Sequence, residues 1–108
     1  MPITWDNKKT QNLLEAVLEL KNIDEAKAFF RDLLTKNELE EFGNRFLAAQ
    51  MLERKISYTT IAGKTGLSST TIARIAKWLN KGMGGYKLII KRFNKHHHTP
   101  VLAEKGLG

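Results

Sequence analysis

The stretch Tyr58-Thr59-Thr60-Ile61-Ala62-Gly63-Lys64-Thr65-Gly66-Leu67-Ser68-Ser69-Thr70-Thr71-Ile72-Ala73-Arg74-Ile75-Ala76 decides how this chain is read. Gly66 stands four residues after Ala62, where a tight turn between two helices needs the left-handed backbone that glycine adopts readily. Ala62 is expected at the crossing point, where a larger side chain would push the helices apart, and Ile61 adds a contact one position earlier. Leu67 is expected to plug the gap between the helices, and Ile72 and Ile75 to pack the second helix back on the first. Ser57 and Ser68 precede the two apolar patterns as N-caps, their hydroxyls taking free amides of the first turn. The pattern predicts a helix-turn-helix, with helices at about 58–65 and 69–80. Ser69, Thr70, Thr71, Arg74 and Lys77 are then the exposed positions of the second helix. Small hydroxyl side chains near a helix N-terminus suit phosphates and base edges in a major groove, where bulk would block approach.

A plain helical hairpin would show the same turn, and the charge distribution argues against it. The chain of 108 residues carries a formal charge of +7. Residues 1–56 hold 9 Lys/Arg and 10 Asp/Glu, whereas 57–98 hold Lys64, Arg74, Lys77, Lys81, Lys87, Lys91, Arg92 and Lys95 and no acid. A segment without a single carboxylate implies a polyanionic partner, of which nucleic acid is the commonest and an anionic membrane the second. The basic stretch lacks the long amphipathic face that would insert in a membrane.

Outward from this segment the sequence reads as helical, with no strand pattern and no repeat. Residues 8–21 place Leu13, Leu14, Val17, Leu18 and Leu20 at helical spacing, and Asn22 ends that helix. Asp24 is expected to cap a short second helix with Phe29, Phe30, Leu33 and Leu34 on its apolar face. Thr35-Lys36-Asn37-Glu38 reads as a capping box opening a helix over about 36–54. Leu39, Phe42, Phe46, Leu47, Ala49 and Leu52 form its expected buried side, and Gly43 inside it could permit a close helix crossing. Residues 82–85 form a glycine-rich turn, and a last helix over about 86–93 puts Tyr86, Ile90 and Phe93 in the core. The reading is one domain over 1–94, with the helix-turn-helix at about 57–79, and a flexible C-terminal tail over 95–108. Apolar residues on separate short helices suit a core completed by a second subunit, with a compact monomer as the alternative.

Other chemistry is set aside. The absence of cysteine excludes a disulfide framework, a thiolate metal site and a Cys nucleophile. His96, His97 and His98 lack further ligands to close a metal shell and read as part of the tail, so no metal is expected. Glu40 and Glu41 point apart on a helix, and no Ser/His/Asp set or phosphate loop stands out, so catalysis is not expected. No run approaches the ~18 apolar residues of a membrane span, and Lys8, Lys9 and Gln11 interrupt any signal-peptide core, which predicts a cytoplasmic protein.

The chain resembles the Trp repressor superfamily, and within it the TrpR-like YerC/YecD branch, from about residue 8 to residue 93. The resemblance rests on Leu34-Thr35 before an acidic helix start, on Gly43-Asn44-Arg45, on the helix-turn-helix, and on the ending Leu79-Asn80-Lys81-Gly82-Met83-Gly84-Gly85-Tyr86. It implies an all-α, six-helix Trp-repressor-like fold whose outer helices intertwine in a homodimer, presenting two reading heads to successive major grooves of double-stranded DNA. Thr59, Ser69, Thr70 and Thr71 match positions that meet DNA in the family, with threonine at Thr59 where the repressor has arginine. Lys64, Lys77 and Lys81 are expected on phosphates, with Ser68 at the head of the reading helix and Arg74 on an anion or the backbone.

Thr35, Arg45 and Arg74 match positions that hold the tryptophan corepressor in the family, which makes a small-molecule effector a possible partner. Ile75 and Trp78 stand where that pocket needs glycine and serine. L-tryptophan is therefore disfavoured as a ligand, no other cofactor is expected, and Trp78 is expected to plug part of the site. The function implied is a transcriptional regulator, in first place a repressor. The alternative is a dimeric ligand-sensing or protein-interaction module that keeps the fold without specific DNA binding.

Overall fold

A computed structural model describes residues 5–96, and these form six α-helices with no strand among them. They run in the order α1 (Lys8–Leu18), α2 (Ile23–Leu33), α3 (Lys36–Glu53), α4 (Tyr58–Thr65), α5 (Ser69–Lys81) and α6 (Gly85–His96). The chain divides into two compact units, which part between Leu39 and Glu40.

The first unit is built by caps rather than by a core. The Asn7 side chain accepts the amide of Lys9 at 2.7 Å and starts α1. α1 stops at Leu18, short of the expected 21. Asn22, not Asp24, caps α2: its side-chain oxygen accepts the Glu25 amide at 2.9 Å, while the Glu25 carboxylate accepts the Lys21 amide at 3.0 Å. Asp24 lies within the first turn instead, where the positive end of the helix dipole favours an acid. The capping box is present as read, with the Glu38 amide on Thr35 Oγ1 at 3.1 Å and the Thr35 amide on Glu38 Oε1 at 2.9 Å. Neither α1 nor α2 contains a buried residue, and Leu18 and Ile23 stand 83% and 69% exposed. The unit's described apolar side chains are at most partly covered, among them Val17, Leu20, Phe29, Phe30 and Leu34.

The second unit holds the core. Ala48, Ala49 and Met51 of α3 meet Ile61 of α4, Ile72, Ile75 and Leu79 of α5, and Ile90 of α6. Burial on α3 therefore differs from the expected stripe. Ala49 is buried, and Phe46, Leu47 and Leu52 pack partly buried against the core, but Ala48, Gln50 and Met51 are buried too. Phe42, expected inside, is 49% exposed. The cause is position along the rod: the last turns of α3 are surrounded on several sides, so small and polar residues are enclosed, and the preceding turns are not. An added Cβ on Gly43 would meet nothing within 4 Å, so no crossing within this chain calls for glycine there.

α6 begins one residue early and runs three residues beyond the expected 93. Lys95 and His96, assigned to the tail, are thus helical, and 97–108 lie outside the described residues. The aromatic pair on this helix is as expected: Phe93 meets Phe46 edge to face with centroids 5.9 Å apart, and Tyr86 packs partly buried on the core.

Candidate nucleic-acid interface

α4 and α5 carry the reading head, and their geometry follows from a few local bonds. Ser57 Oγ accepts the Thr60 amide at 3.2 Å and caps α4. Gly66 closes it in the left-handed region at φ 74°, its amide donating to Ala62 O at 2.8 Å. Ser68 Oγ accepts the Thr71 amide at 3.1 Å and caps α5. The turn has a further brace that the sequence reading missed. The buried Thr65 hydroxyl donates to Ile61 O at 2.8 Å and accepts the Leu67 amide at 3.2 Å, so one hydroxyl ties the end of α4 to the loop that follows. The signal was faint, since a threonine before glycine reads equally well as a surface residue. Among the described residues no buried side-chain polar atom is left without a partner.

The apolar contacts behind the head are close to those expected. Ile61, Ile72 and Ile75 have no exposed surface, and Leu67 packs partly buried between them. Ala62 is only partly buried, and Ile61 occupies the enclosed position at its side, because the tighter contact of α4 is made one residue earlier.

The outer face of α5 is the candidate interface. Ser69, Thr70, Arg74, Lys77 and Lys81 are exposed, and the last four recur at the three- and four-residue spacing that aligns side chains on one helix face. The row from Thr70 to Lys81 is roughly 16 Å long at about 1.5 Å per residue, comparable to the ~12 Å width of a major groove. Among the described residues no hydrogen bond or ion pair engages the Arg74, Lys77 or Lys81 head groups. Acids are scarce around them: Glu40, Glu41 and Glu53 are the acids of the second unit's described residues, all on α3, with Glu41 held by Arg45 and Glu53 by Lys87.

The other expected site residues fall into three groups. Thr59 is exposed on the first turn of α4, Ser68 is exposed at the head of α5 with its hydroxyl committed to the cap, and Lys64 is exposed near the end of α4. Thr71 is partly buried, and its Oγ1 accepts a hydrogen bond from Ser68 Oγ at 3.1 Å, so it is less available than Ser69 and Thr70. Of the effector set, Thr35 is occupied by its capping box, and Arg45 chelates one carboxylate oxygen of Glu41 through Nε at 3.2 Å and Nη2 at 2.7 Å. Arg74 projects from the exposed face, Ile75 is fully packed in the core, and Trp78 stands 48% exposed, so the indole is not held as a buried plug within this chain. His96 is the last residue of α6, while His97 and His98 lie outside the described residues.

Comparison with known proteins agrees with this geometry. The Trp repressor protein family matches residues 8–94. The chain belongs to the Trp repressor family. Its relatives place it in the TrpR-like YerC branch: it is 35% identical over 85 residues to the uncharacterised protein YerC of Bacillus subtilis strain 168, covering 79% of this chain and 82% of that one. A solved TrpR-like protein from Eubacterium eligens is 40% identical with a TM-score of 0.78, covering 82% of this chain and 91% of its own. A candidate Trp repressor from Staphylococcus aureus is 31% identical with a TM-score of 0.79, covering 86% and 96%. This Trp repressor-family chain therefore has the six-helix fold of the family, a family of regulators and not of enzymes. No helix of its described residues is long and apolar enough to cross a membrane.

Proposed function

We propose that this chain is a sequence-specific DNA-binding transcriptional regulator, in first place a repressor, acting as a helix-turn-helix homodimer. The observation that carries the reading is the outer face of α5: Thr70, Arg74, Lys77 and Lys81 exposed in one row, with Ser69 exposed beside Thr70, and the acids of the unit's described residues all on α3. Arg74, Lys77 and Lys81, whose head groups are engaged by no hydrogen bond or ion pair among the described residues, can pair with phosphates at little cost and release the counterions condensed on DNA. Lys64, Lys77 and Lys81 engage phosphates, with Thr59 and Ser68 alongside them. Ser69 and Thr70 read base edges, Thr71 contributes through the face it leaves open, and Arg74 meets the backbone or an anion.

Dimerisation is supported by the first unit, whose two helices contain no buried residue in a single chain and leave Leu13, Leu14, Leu18, Ile23 and Leu33 exposed. Two reading helices meet successive grooves only when held about 34 Å apart, so affinity depends on the second subunit. L-tryptophan is not the effector in this reading, because Ile75 is fully packed where the family pocket needs glycine, which has no side chain, and Arg45 is engaged by Glu41.

Selection of fragments bound by the purified protein from genomic DNA tests the proposal, together with a mobility shift on random duplex. Recovery of one recurrent, two-fold symmetric sequence is the expected result. No shift even near 50 mM salt would refute DNA binding and leave the ligand-sensing or interaction module as the reading.

A further inference from the structure

The positive charge of residues 57–98 is not used up by the reading head. Lys64, Arg74, Lys77 and Lys81 lie on α4 and α5, whereas Lys87, Lys91, Arg92 and Lys95 lie on α6. Lys87 is spent on Glu53, with Nζ and Oε1 2.8 Å apart. Lys91, Arg92 and Lys95 are exposed, and no hydrogen bond or ion pair among the described residues engages their head groups. Lys91 stands four residues before Lys95 and Arg92 three, the spacings that align side chains on one helix face. Helix electrostatics accounts for only part of this arrangement. The negative end of the α6 dipole favours Lys95 and His96 in the last turn, but Lys91 and Arg92 stand before that turn.

The direction of this face is the second observation. Tyr86, Ile90 and Phe93 turn α6 towards the core, where Ile90 joins Ile72, Ile75 and Leu79 of α5 in one cluster. Each of the two helices carries its cations on the side opposite its core residues, so the two faces leave the shared core in different directions. A duplex lying along the α5 row is thus separated from Lys91 and Lys95 by α5 itself and the core behind it.

We infer that the α6 face of Lys91, Arg92 and Lys95 binds the phosphates of a second duplex, so that the protein joins two separate stretches of DNA. The first of these is the duplex on α5, and for it the inference rests on the DNA-binding reading above. Lys91 and Lys95 are roughly 6 Å apart along the helix at about 1.5 Å per residue, close to twice the ~3.4 Å axial spacing of phosphates on one strand. An anionic membrane suits the face less well. α6 spends Tyr86, Ile90 and Phe93 on the core, and the two half-exposed residues that remain, Leu88 and Ile89, are too few for a face that sinks among lipid headgroups.

The test is a capture assay with the full chain and two random-sequence duplexes of about two turns (~20 base pairs), one fixed to beads and one fluorescent. The protein should retain the fluorescent duplex on the beads. Lys91→Gln/Arg92→Gln/Lys95→Gln should cut that retention at least about 5-fold, while its affinity for a single duplex, read by anisotropy, stays within about 3-fold of the parent. Three phosphate contacts contribute about −2.7 to the salt slope, so doubling the salt from 50 to 100 mM should weaken the duplex held on α6 about 6-fold. No retention by the parent, or equal retention by the variant, would overturn the inference. An equal loss of single-duplex affinity in the variant would also overturn it, by placing α6 on the same duplex as α5. So would a changed oligomeric state of the variant in sedimentation, or parent-only binding to phosphatidylglycerol vesicles without capture of duplex, since the cations would then serve a protein or a lipid contact. Failure of the α5 reading looks different. Single-duplex binding that survives Arg74→Gln/Lys77→Gln/Lys81→Gln but is lost in the α6 variant removes α5 as a DNA surface, and with it the joining of two duplexes. Single-duplex binding without capture removes the role of α6 alone.

Discussion

Lys77→Gln gives the sharpest measure of the α5 face. The side chain is exposed and engaged by no hydrogen bond or ion pair among the described residues, so its loss should change folding stability by less than about 0.5 kcal/mol. Its effect on DNA is calculable. Each phosphate neutralised on B-DNA contributes about −0.9 to the slope of log affinity against log salt. A dimer presents Lys77 twice, so the variant should flatten that slope by about 1.8. Across a four-fold change of salt, from 50 to 200 mM, the wild-type advantage over the variant should then shrink by about 12-fold. Fluorescence anisotropy of a labelled random-sequence duplex at four salt concentrations measures this directly, with sedimentation confirming that the variant keeps its oligomeric state. The loss should be alike on unrelated sequences, since a phosphate contact carries no base information. A slope unchanged within about 0.5, or a loss confined to one sequence, would show that Lys77 faces no phosphate and that α5 does not lie along the duplex.

Further outcomes follow from the same structure. Thr70→Ala should alter which sequences are preferred in a selection experiment, while Thr71→Val should chiefly lower the melting temperature, because the Thr71 hydroxyl is bonded to Ser68 and Thr70 has no such commitment. Lys55→Gly should raise stability in urea unfolding by about 0.5–1 kcal/mol, the relieved left-handed strain less the entropy glycine carries in the unfolded chain. Leu18→Lys should weaken self-association by at least about 100-fold in sedimentation equilibrium, since two exposed leucines, each contributing about 1.5–3 kcal/mol on burial, would no longer be covered. Millimolar L-tryptophan should leave the melting temperature unchanged; a clear rise would show that Ile75 yields space for an indole after all.

What could be read from the sequence was what depends on neighbours in the chain. The Ser57 and Ser68 caps, the turn at Gly66 and the Ile61, Ile72 and Ile75 contacts are set within about fifteen residues of one another, and the structure has them as the spacing predicts. The cap of α2 is ambiguous in sequence because Asn22 and Asp24 are both good caps, and in the structure Asn22 takes the place while Glu25 reaches back to the Lys21 amide. Burial on α3 could not be read from periodicity. A helix enclosed on several sides at one end and open at the other shows no single apolar stripe, so periodicity points to Phe42 and passes over the buried Ala48 and Met51. At the candidate interface the exposed row on α5 was legible from residue type and spacing. The commitment of the Thr71 hydroxyl and the left-handed backbone of Lys55, at φ 65°, depend on a side-chain rotamer and on a backbone angle that composition does not reveal.

The two faces of α5 have separate tasks, and this bears on how such a chain can diverge. Ile72, Ile75 and Leu79 secure the helix, while Ser69, Thr70, Ala73, Arg74 and Lys77 touch little else. Exchanging the outward residues should therefore cost almost no folding free energy, so a duplicated copy could acquire a new operator through a handful of substitutions while its scaffold stayed as it was.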